Sequence, residues 1–404
     1  MHFKNLLRTL NLIKVSTTCP KRWCQSQTLE RNPAADFTGT MSAWQLTNYG
    51  DESNLVLTEN VEIPIITDPN QVLVKVSAAS VNPLDVEMMR GFGSVLLSNM
   101  RQISSLCQDQ STSETPLILG RDFAGTVVAK GNSATKFEIG DEVFGVVKPH
   151  DQGCHSEYTV TSESLVAKKP DFLSMEQASG ILYTALTAWS ALKISGNFIV
   201  VSPKDKRILV LGASGGVGSV AVQMLNAWGA QVVATCRSDA VSLVETFSPQ
   251  VILDYTSPTY QSSVESAGKY DVILDAAGIG EKELEAYVPH VNPGGSLITL
   301  RSPLLNNIDT YGLLCGTVKS AIDLAVPNLT SGVFKKGSLI KWGFFMPLAT
   351  AVEEISELVN KNKITPPIEK TYPFSSVPEA YSRMKAGHLR GKIVISLDKK
   401  KSSE

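Results

Sequence analysis

Paired cysteines are missing from this chain. Its six cysteines stand at 19, 24, 107, 154, 236 and 315, and none forms a CxxC pair. Without such pairs there is neither a disulfide framework nor a zinc module to read, and the thiols fit a reduced compartment. Histidine is rarer still: five in 404 residues, at 2, 150, 155, 290 and 388, with no ligand spacing. No window supplies the roughly 18–20 uninterrupted apolar residues of a membrane span. The Ile181–Val201 stretch comes nearest and is broken by Lys193, Ser195 and Asn197. A surplus of positive charge is missing too. The formal net charge is −2, and five of the bases (Lys4, Arg8, Lys14, Lys21, Arg22) crowd into Met1–Leu29, which holds no acid. The acidic remainder offers no electrostatic footprint for nucleic acid.

That basic start has the pattern of a mitochondrial transit peptide. Phe3, Leu6, Leu7, Leu10 and Ile13 follow helical spacing among the bases, and hydroxyls cluster at Ser16, Thr17 and Thr18. The length exceeds what one core usually spans, so two domains are expected. From Met41 to Tyr158 short β-type runs such as Val72–Val76, Ala124–Val128 and Glu142–Val147 alternate with Gly and Pro, which predicts a barrel-like β module. The polar stretch Phe92–Leu117 interrupts it as a helix-bearing flap or a disordered insert. From Arg207 the rhythm becomes strand–helix alternation. Strands are expected over Ile208–Leu211, Gln231–Thr235, Val251–Leu253, Val272–Leu274 and Ser296–Leu300, with helices such as Val217–Trp228 and Ala240–Phe247 between them. This implies an α/β fold with a doubly wound parallel sheet. A closing strand, Gly391–Leu397, is expected to rejoin the first module.

The apolar run Ile208–Leu211 stops at Gly212, and Gly215 and Gly218 follow at three-residue intervals. A strand, a glycine turn and a helix start make a phosphate site. The glycines permit close backbone approach, and free amides at the helix N-terminus face the anion. An acid about 20 residues further on would bind the adenosine ribose hydroxyls of NADH. Here Arg237 and Ser238 stand at that point, and a guanidinium there pairs with a 2′-phosphate, favouring NADPH. Asp239 is the feature that argues for NADH. The turn Asp275–Gly278, with its Gly278, and the Leu300–Arg301 turn should complete the site at the strand ends.

Several segments together resemble the zinc-free quinone-oxidoreductase branch of the medium-chain dehydrogenase/reductase superfamily. They are Ala79–Asp85 (ASVNPLD), Leu119–Gly125 (LGRDFAG), Gly140–Val143 (GDEV), Thr184–Trp189 (TALTAW), Gly212–Gly218 (GASGGVG) and Gly387–Val394 (GHLRGKIV). The resemblance implies a GroES-like β-barrel domain plus a Rossmann-type sheet, with NADPH in the cleft between them and dimers formed through the Rossmann sheet edge. The division it implies is a transit segment over 1–40, the barrel domain over 41–190, the NADPH domain over 191–345 and a return to the barrel over 346–404. Zinc-dependent relatives carry Gly-His-Glu where this chain has Gly120-Arg121-Asp122, so a metal-free reductase is implied. Ser214, Gly216 and Val217 join the glycines around the phosphates. Tyr255 contacts a cofactor phosphate, while Gly387, His388 and Arg390 cap the nicotinamide side from the tail. Asn82, Asp85 and Tyr183 are the candidate catalytic residues, although Asn-Pro-x-Asp also fits a turn with a helix N-cap and Tyr183 fits simple packing. Leu304–Met346 is long and apolar, as suits a lipophilic substrate, core packing or a dimer seam.

Two readings follow: a mitochondrial, matrix NADPH-dependent oxidoreductase acting on a quinone or enone in ubiquinone metabolism, or an NADPH-binding scaffold or redox sensor that docks a reticulon-family protein.

Overall fold

The structure is a computed structural model that describes residues 38–106 and 115–398. The basic leader, and Cys107 within the insert, lie outside the described residues. The strands in chain order are β1 (Thr40–Leu46), β2 (Leu55–Glu62), β3 (Gln71–Val81), β4 (Leu117–Ile118), β5 (Asp122–Lys130), β6 (Glu142–Val146), β7 (Tyr158–Ser162) and β8 (Val166–Lys168). They continue with β9 (Arg207–Leu211), β10 (Gln231–Cys236), β11 (Val251–Asp254), β12 (Tyr270–Asp275), β13 (Val291–Thr299), β14 (Leu339–Trp342), β15 (Ile368–Pro373) and β16 (Lys392–Ser396).

The strands β9 to β14 form one parallel sheet in the order β11-β10-β9-β12-β13-β14. This is the doubly wound order 3-2-1-4-5-6, with the strand order reversing between β9 and β12. The sequence explains the arrangement. The run Arg207–Leu211 is apolar almost throughout, as a strand covered on both faces must be, and all but Arg207 are buried. Each face has its own core. One is built on Leu209, Val233, Ile273 and Leu297, the other on Ile208, Val210, Val232 and Leu274.

The second sheet runs β15-β16-β3-β5-β6-β8, with β7 paired to the first half of β3. The second half of β3 pairs antiparallel with β16, Val81 opposite Ile393. The end of the chain therefore completes a sheet begun more than 300 residues earlier in the sequence. The core that includes Val210 and Val220 also takes in Ala124, Phe144 and Val146 of this sheet and Leu186 of the helix Leu182–Trp189. A shared dry interior fixes the two sheets against each other, and the cleft between them inherits that rigidity.

The insert carries the helix Ser94–Leu106. Its N-terminus is capped by Asp309, whose carboxylate accepts from the amides of Gly93 (2.6 Å) and Val95 (3.0 Å). Asp309 belongs to the long helix Leu304–Thr330, which kinks at Gly312 (φ 77°). This long helix turns Leu314, Val318, Ile322 and Leu329 outward rather than into the cleft.

Candidate active site

The turn after β9 is built from backbone demands. Gly212 has φ +80°, and a Cβ there would stand 2.8 Å from the Ala277 Cβ. A Cβ on Gly218 would lie 2.2 Å from the Gly212 carbonyl oxygen, so only glycine lets the helix start this close to the strand. The helix Gly216–Ala227 begins with Gly215 as its N-cap, and no side chain caps it. Its first amides are therefore left for a ligand. They open onto a cavity of about 820 Å³ at the carboxyl ends of β9 and β12, where an open α/β sheet binds its ligands. Beside Gly215 and Gly278 there is no side chain within 4 Å of the Cβ position. These uncapped amides and uncrowded glycines fit a dinucleotide phosphate.

The cavity brings together many of the expected residues. Gly212, Ser214, Gly215, Gly216 and Val217 line it from the turn, Asn82 and Tyr183 from the barrel side, and Tyr255, Gly387, His388 and Arg390 from the outer end. Asp85, Gly218, Arg237, Ser238, Gly278 and Leu300 are not among its lining. Leu300 packs against the main core.

At the end of β10, Asp239 gathers two guanidiniums. Its Oδ1 accepts from Arg390 Nη2 at 2.7 Å and lies 3.7 Å from Arg237 Nε. Arg390 thus reaches the end of β10, beside Arg237 and Asp239, while the resemblance assigns it to the nicotinamide side. The loop Gly387–Gly391 lines the cavity, and the long Arg390 side chain carries its charge to Asp239.

The opposite end of the cavity holds a buried polar network. Asn82 precedes the helix Pro83–Met89, and Asp85 Oδ2 accepts from the Asn82 amide at 2.8 Å as its capping partner. The other Asp85 oxygen accepts from the Gly120 amide at 3.1 Å and lies 3.7 Å from Arg121 Nε. The Arg121 guanidinium also donates to the carbonyls of Ile118, Lys148 and Asp151. Asp85 is fully buried among these groups, and its geometry is that of a structural cap and counter-ion. Burial pushes its carboxyl above the usual range, against the pull of Arg121 and the two amides.

Asn82 is held differently. Its Nδ2 donates to Asp122 Oδ1 at 2.8 Å, and its Oδ1 accepts from Lys392 Nζ at 2.5 Å. Ser80 Oγ donates a short hydrogen bond to the same Asp122 oxygen. Lys392 Nζ lies 3.6 Å from Asp122 Oδ2, with both side chains almost fully buried. Burial lowers the Lys392 ammonium and raises the Asp122 carboxyl, each opposed by the other's charge. Tyr183 stacks on Phe345 with centroids 4.4 Å apart, and its burial drives the phenol upward. It can donate a hydrogen bond but will not ionise. His155 lies beneath. Its Nε2 must donate to the Ser80 carbonyl (3.1 Å), since a carbonyl only accepts, so Nδ1 accepts from the Tyr381 hydroxyl (3.1 Å). Desolvation lowers the ring's pKa to about 4.

Sequence reading missed Lys392, Ser80, Asp122 and His155. Lys392 left a usable signal, a lysine heading the otherwise apolar strand KIVIS, buried at four of five positions. Among the described residues no group of three or more His, Cys, Asp or Glu is arranged to hold a metal ion. No helix among them is long and apolar enough to cross a membrane.

With this geometry in view, comparison with known proteins is informative. Residues 68–171 match the alcohol dehydrogenase GroES-like domain family and 249–395 the zinc-binding dehydrogenase family. The chain is 40% identical over 360 residues to the Homo sapiens protein named NAD(P)H oxidoreductase RTN4IP1, mitochondrial, covering 88% of this chain and 89% of that one. It is 39% identical over 362 residues to the Danio rerio protein of the same name, covering 88% and 91%. The 2-methylene-furan-3-one reductase of Solanum lycopersicum is 29% identical over 92% of this chain and 83% of its own length. Among solved structures, the quinone oxidoreductase from Coxiella burnetii has the same fold, with a TM-score of 0.69 at 22% identity, covering 89% of this chain and 99% of that one.

Proposed function

We propose, for a chain that belongs to the medium-chain dehydrogenase/reductase superfamily and within it to the family of NAD(P)H oxidoreductase RTN4IP1, that it is an NADPH-dependent reductase of quinone-like or α,β-unsaturated carbonyl compounds. That the chain is an NAD(P)H oxidoreductase follows from its membership; the preference for NADPH, the substrate class and the setting are our reading. The observation that carries it is the pair of arginines, Arg237 and Arg390, gathered on Asp239 at the end of β10. A ribose 2′-phosphate is a better partner for two guanidiniums than one carboxylate shared between them. When bound, the dinucleotide supplies hydride. The helix amides at Gly216–Gly218 and the two arginines would hold it, and Asn82 and Tyr183, which line the cavity, would orient the acceptor.

Relatives named mitochondrial and the basic leader support a mitochondrial site in the matrix, and a lipophilic acceptor is compatible with a role in ubiquinone metabolism. The division of labour that fits assigns 41–190 and 346–404 to the barrel and 191–345 to the nucleotide domain. A homodimer is proposed along the free edge strand β14 and the outward face of the helix Leu304–Thr330. The alternative, an NADPH-dependent scaffold for a reticulon-family protein, draws on the relatives' name, as in the Caenorhabditis elegans protein called reticulon-4-interacting protein 1, mitochondrial.

Purified protein should consume NADPH when given a short-chain quinone or an enone, and NADH more slowly. Absence of turnover with every quinone and enone, together with thermal stabilisation by NADPH, would instead favour the scaffold.

A further inference from the structure

Lys392 opens β16 and pairs there with Ile368, while its side chain leaves the sheet for the cavity. Gly391 before it has φ +110°, and a Cβ there would stand 2.2 Å from the Pro367 carbonyl oxygen. Lys392 itself donates its amide to that carbonyl at 2.8 Å. Its side-chain stem runs through a slot between two glycines. A Cβ on Gly180 would lie 3.3 Å from Lys392 Cγ, and one on Gly216 would lie 3.2 Å from Cδ. The head emerges at the cavity wall beside Asn82 and Tyr183, with its Nζ 5.8 Å from the Tyr183 ring centroid. Of its three N–H donors one goes to Asn82 Oδ1. Asp122 Oδ2 faces the ammonium at 3.6 Å without a hydrogen bond of its own. A donor is thus left over at the cavity wall. The titratable groups around the lysine are Asp122 on β5, Asp85 on the helix Pro83–Met89 and the Cys154 thiol ahead of β7, which burial pushes up and keeps protonated, with the Tyr183 phenol opposite.

We propose that Lys392 is the proton donor of the reaction, a catalytic residue that delivers its proton to the acceptor oxygen. This rests on the reductase reading above. An enone gains hydride at its β-carbon from a reduced nicotinamide, which is oxidised. The alkene pair shifts to leave an enolate, a Lys392 N–H bond breaks and an enol O–H bond forms. A quinone likewise takes up the two electrons with the hydride, and the hydroquinone anion takes the proton. The neutral amine recovers its proton from solvent. Asn82 and Asp122 position the ammonium, and Asp122 favours its charged form.

The other role open to a cation near a phosphate site is a counter-ion for the dinucleotide, and the test separates the two. In the full chain, K392Q should lower kcat for quinone reduction about 100-fold, the scale of a lost general acid. Its calorimetric Kd for NADP+ should stay within about threefold of wild type, since a donor aimed at the acceptor contributes little to dinucleotide binding. Wild-type kcat should fall on an alkaline limb below pH 10.5, because burial lowers Lys392, and K392R should carry that limb to higher pH. A K392Q that weakens NADP+ tenfold or more while keeping kcat would make the lysine a counter-ion and overturn the proposal. So would an unchanged kcat, or a wild-type profile flat to pH 10.5, which needs no variant to fold. If wild type turns over no quinone or enone, it is the reductase reading that fails, and the NADP+ measurement still stands.

Discussion

His155 has no exposed surface to speak of and a ring that both donates and accepts, to Ser80 and from Tyr381. It folds neutral, with a pKa of about 4, while in the unfolded chain it titrates near the ordinary value of about 6.5. Between those two values the unfolded state binds more protons, so stability falls as pH falls. The cost is about 2 kcal/mol by pH 5. Urea midpoints taken from pH 7 to pH 5 should show this slope, and H155Q should flatten it. Asp85 behaves differently. D85N leaves the Arg121 guanidinium buried without its counter-charge, and it should lower unfolding free energy by about 3 kcal/mol, as breaking a buried pair does. The Asp239–Arg390 pair is half open to solvent, with the Asp239 side chain 59% and the Arg390 side chain 25% exposed. D239N should change stability by less than about 1 kcal/mol. R237E and R390E, by contrast, should each weaken NADP+ by about tenfold or more relative to NAD+, the value of a charged hydrogen bond, and paired titrations with the two cofactors would read the difference.

Among the elements, the strand–turn–helix of β9 and Gly216–Ala227 was plain in the sequence. The reason is that its constraints are local: an apolar strand, glycines where a Cβ cannot go, and a helix start without a cap. The expected strands Gln231–Thr235, Val251–Leu253 and Val272–Leu274 are found as β10 and β11 with one residue added to each and β12 with three. Ser296–Leu300 is found as β13, which starts at Val291 and ends at Thr299. The short edge strand β14 was not expected: Leu339–Trp342 is only four residues long and owes its place to pairing with β13. The insert was expected as a helix-bearing flap or a disordered segment, and it carries the helix Ser94–Leu106; what the sequence did not show is that its capping carboxylate comes from Asp309, far along the chain. Local constraint also makes a prediction at this level. G218A should push the helix start away from the Gly212 carbonyl, only 2.2 Å from the added methyl. Nucleotide affinity should drop at least tenfold while the circular dichroism of the fold is retained, because the phosphate site depends on that close approach.

Over the whole molecule, β16 binds the tail of the described chain into the sheet that β3 and β5 begin. Ile393, Val394 and Ile395 are completely buried, and at about 1.5–3 kcal/mol for each such side chain their burial rivals the total stability of a domain. A chain ending at Arg390 should therefore lose cooperative unfolding, which calorimetry would detect, and not merely lose activity. The outward stripe Leu314, Val318 and Ile322 is the other feature of this scale. If a second copy covers it, light scattering will give a dimer mass, and L314E with I322E will give the monomer.

The sequence by itself determined the cofactor class, because a phosphate turn is a contiguous stretch whose glycines answer to their own neighbours. It also determined that an arginine stands at the point where the second strand ends. The network around Asn82 was decided only by the tertiary structure. Lys392, Asn82 and Asp122 come from a tail strand, a helix start and a central strand, and nothing in their separate segments announces that they touch. The same holds for Arg390, which meets Asp239 only because the tail loop folds back to line the cavity. Charges buried together depend on which strands pair: the tail strand was expected to rejoin the first module, but its partner β3 and its register are set only by the fold.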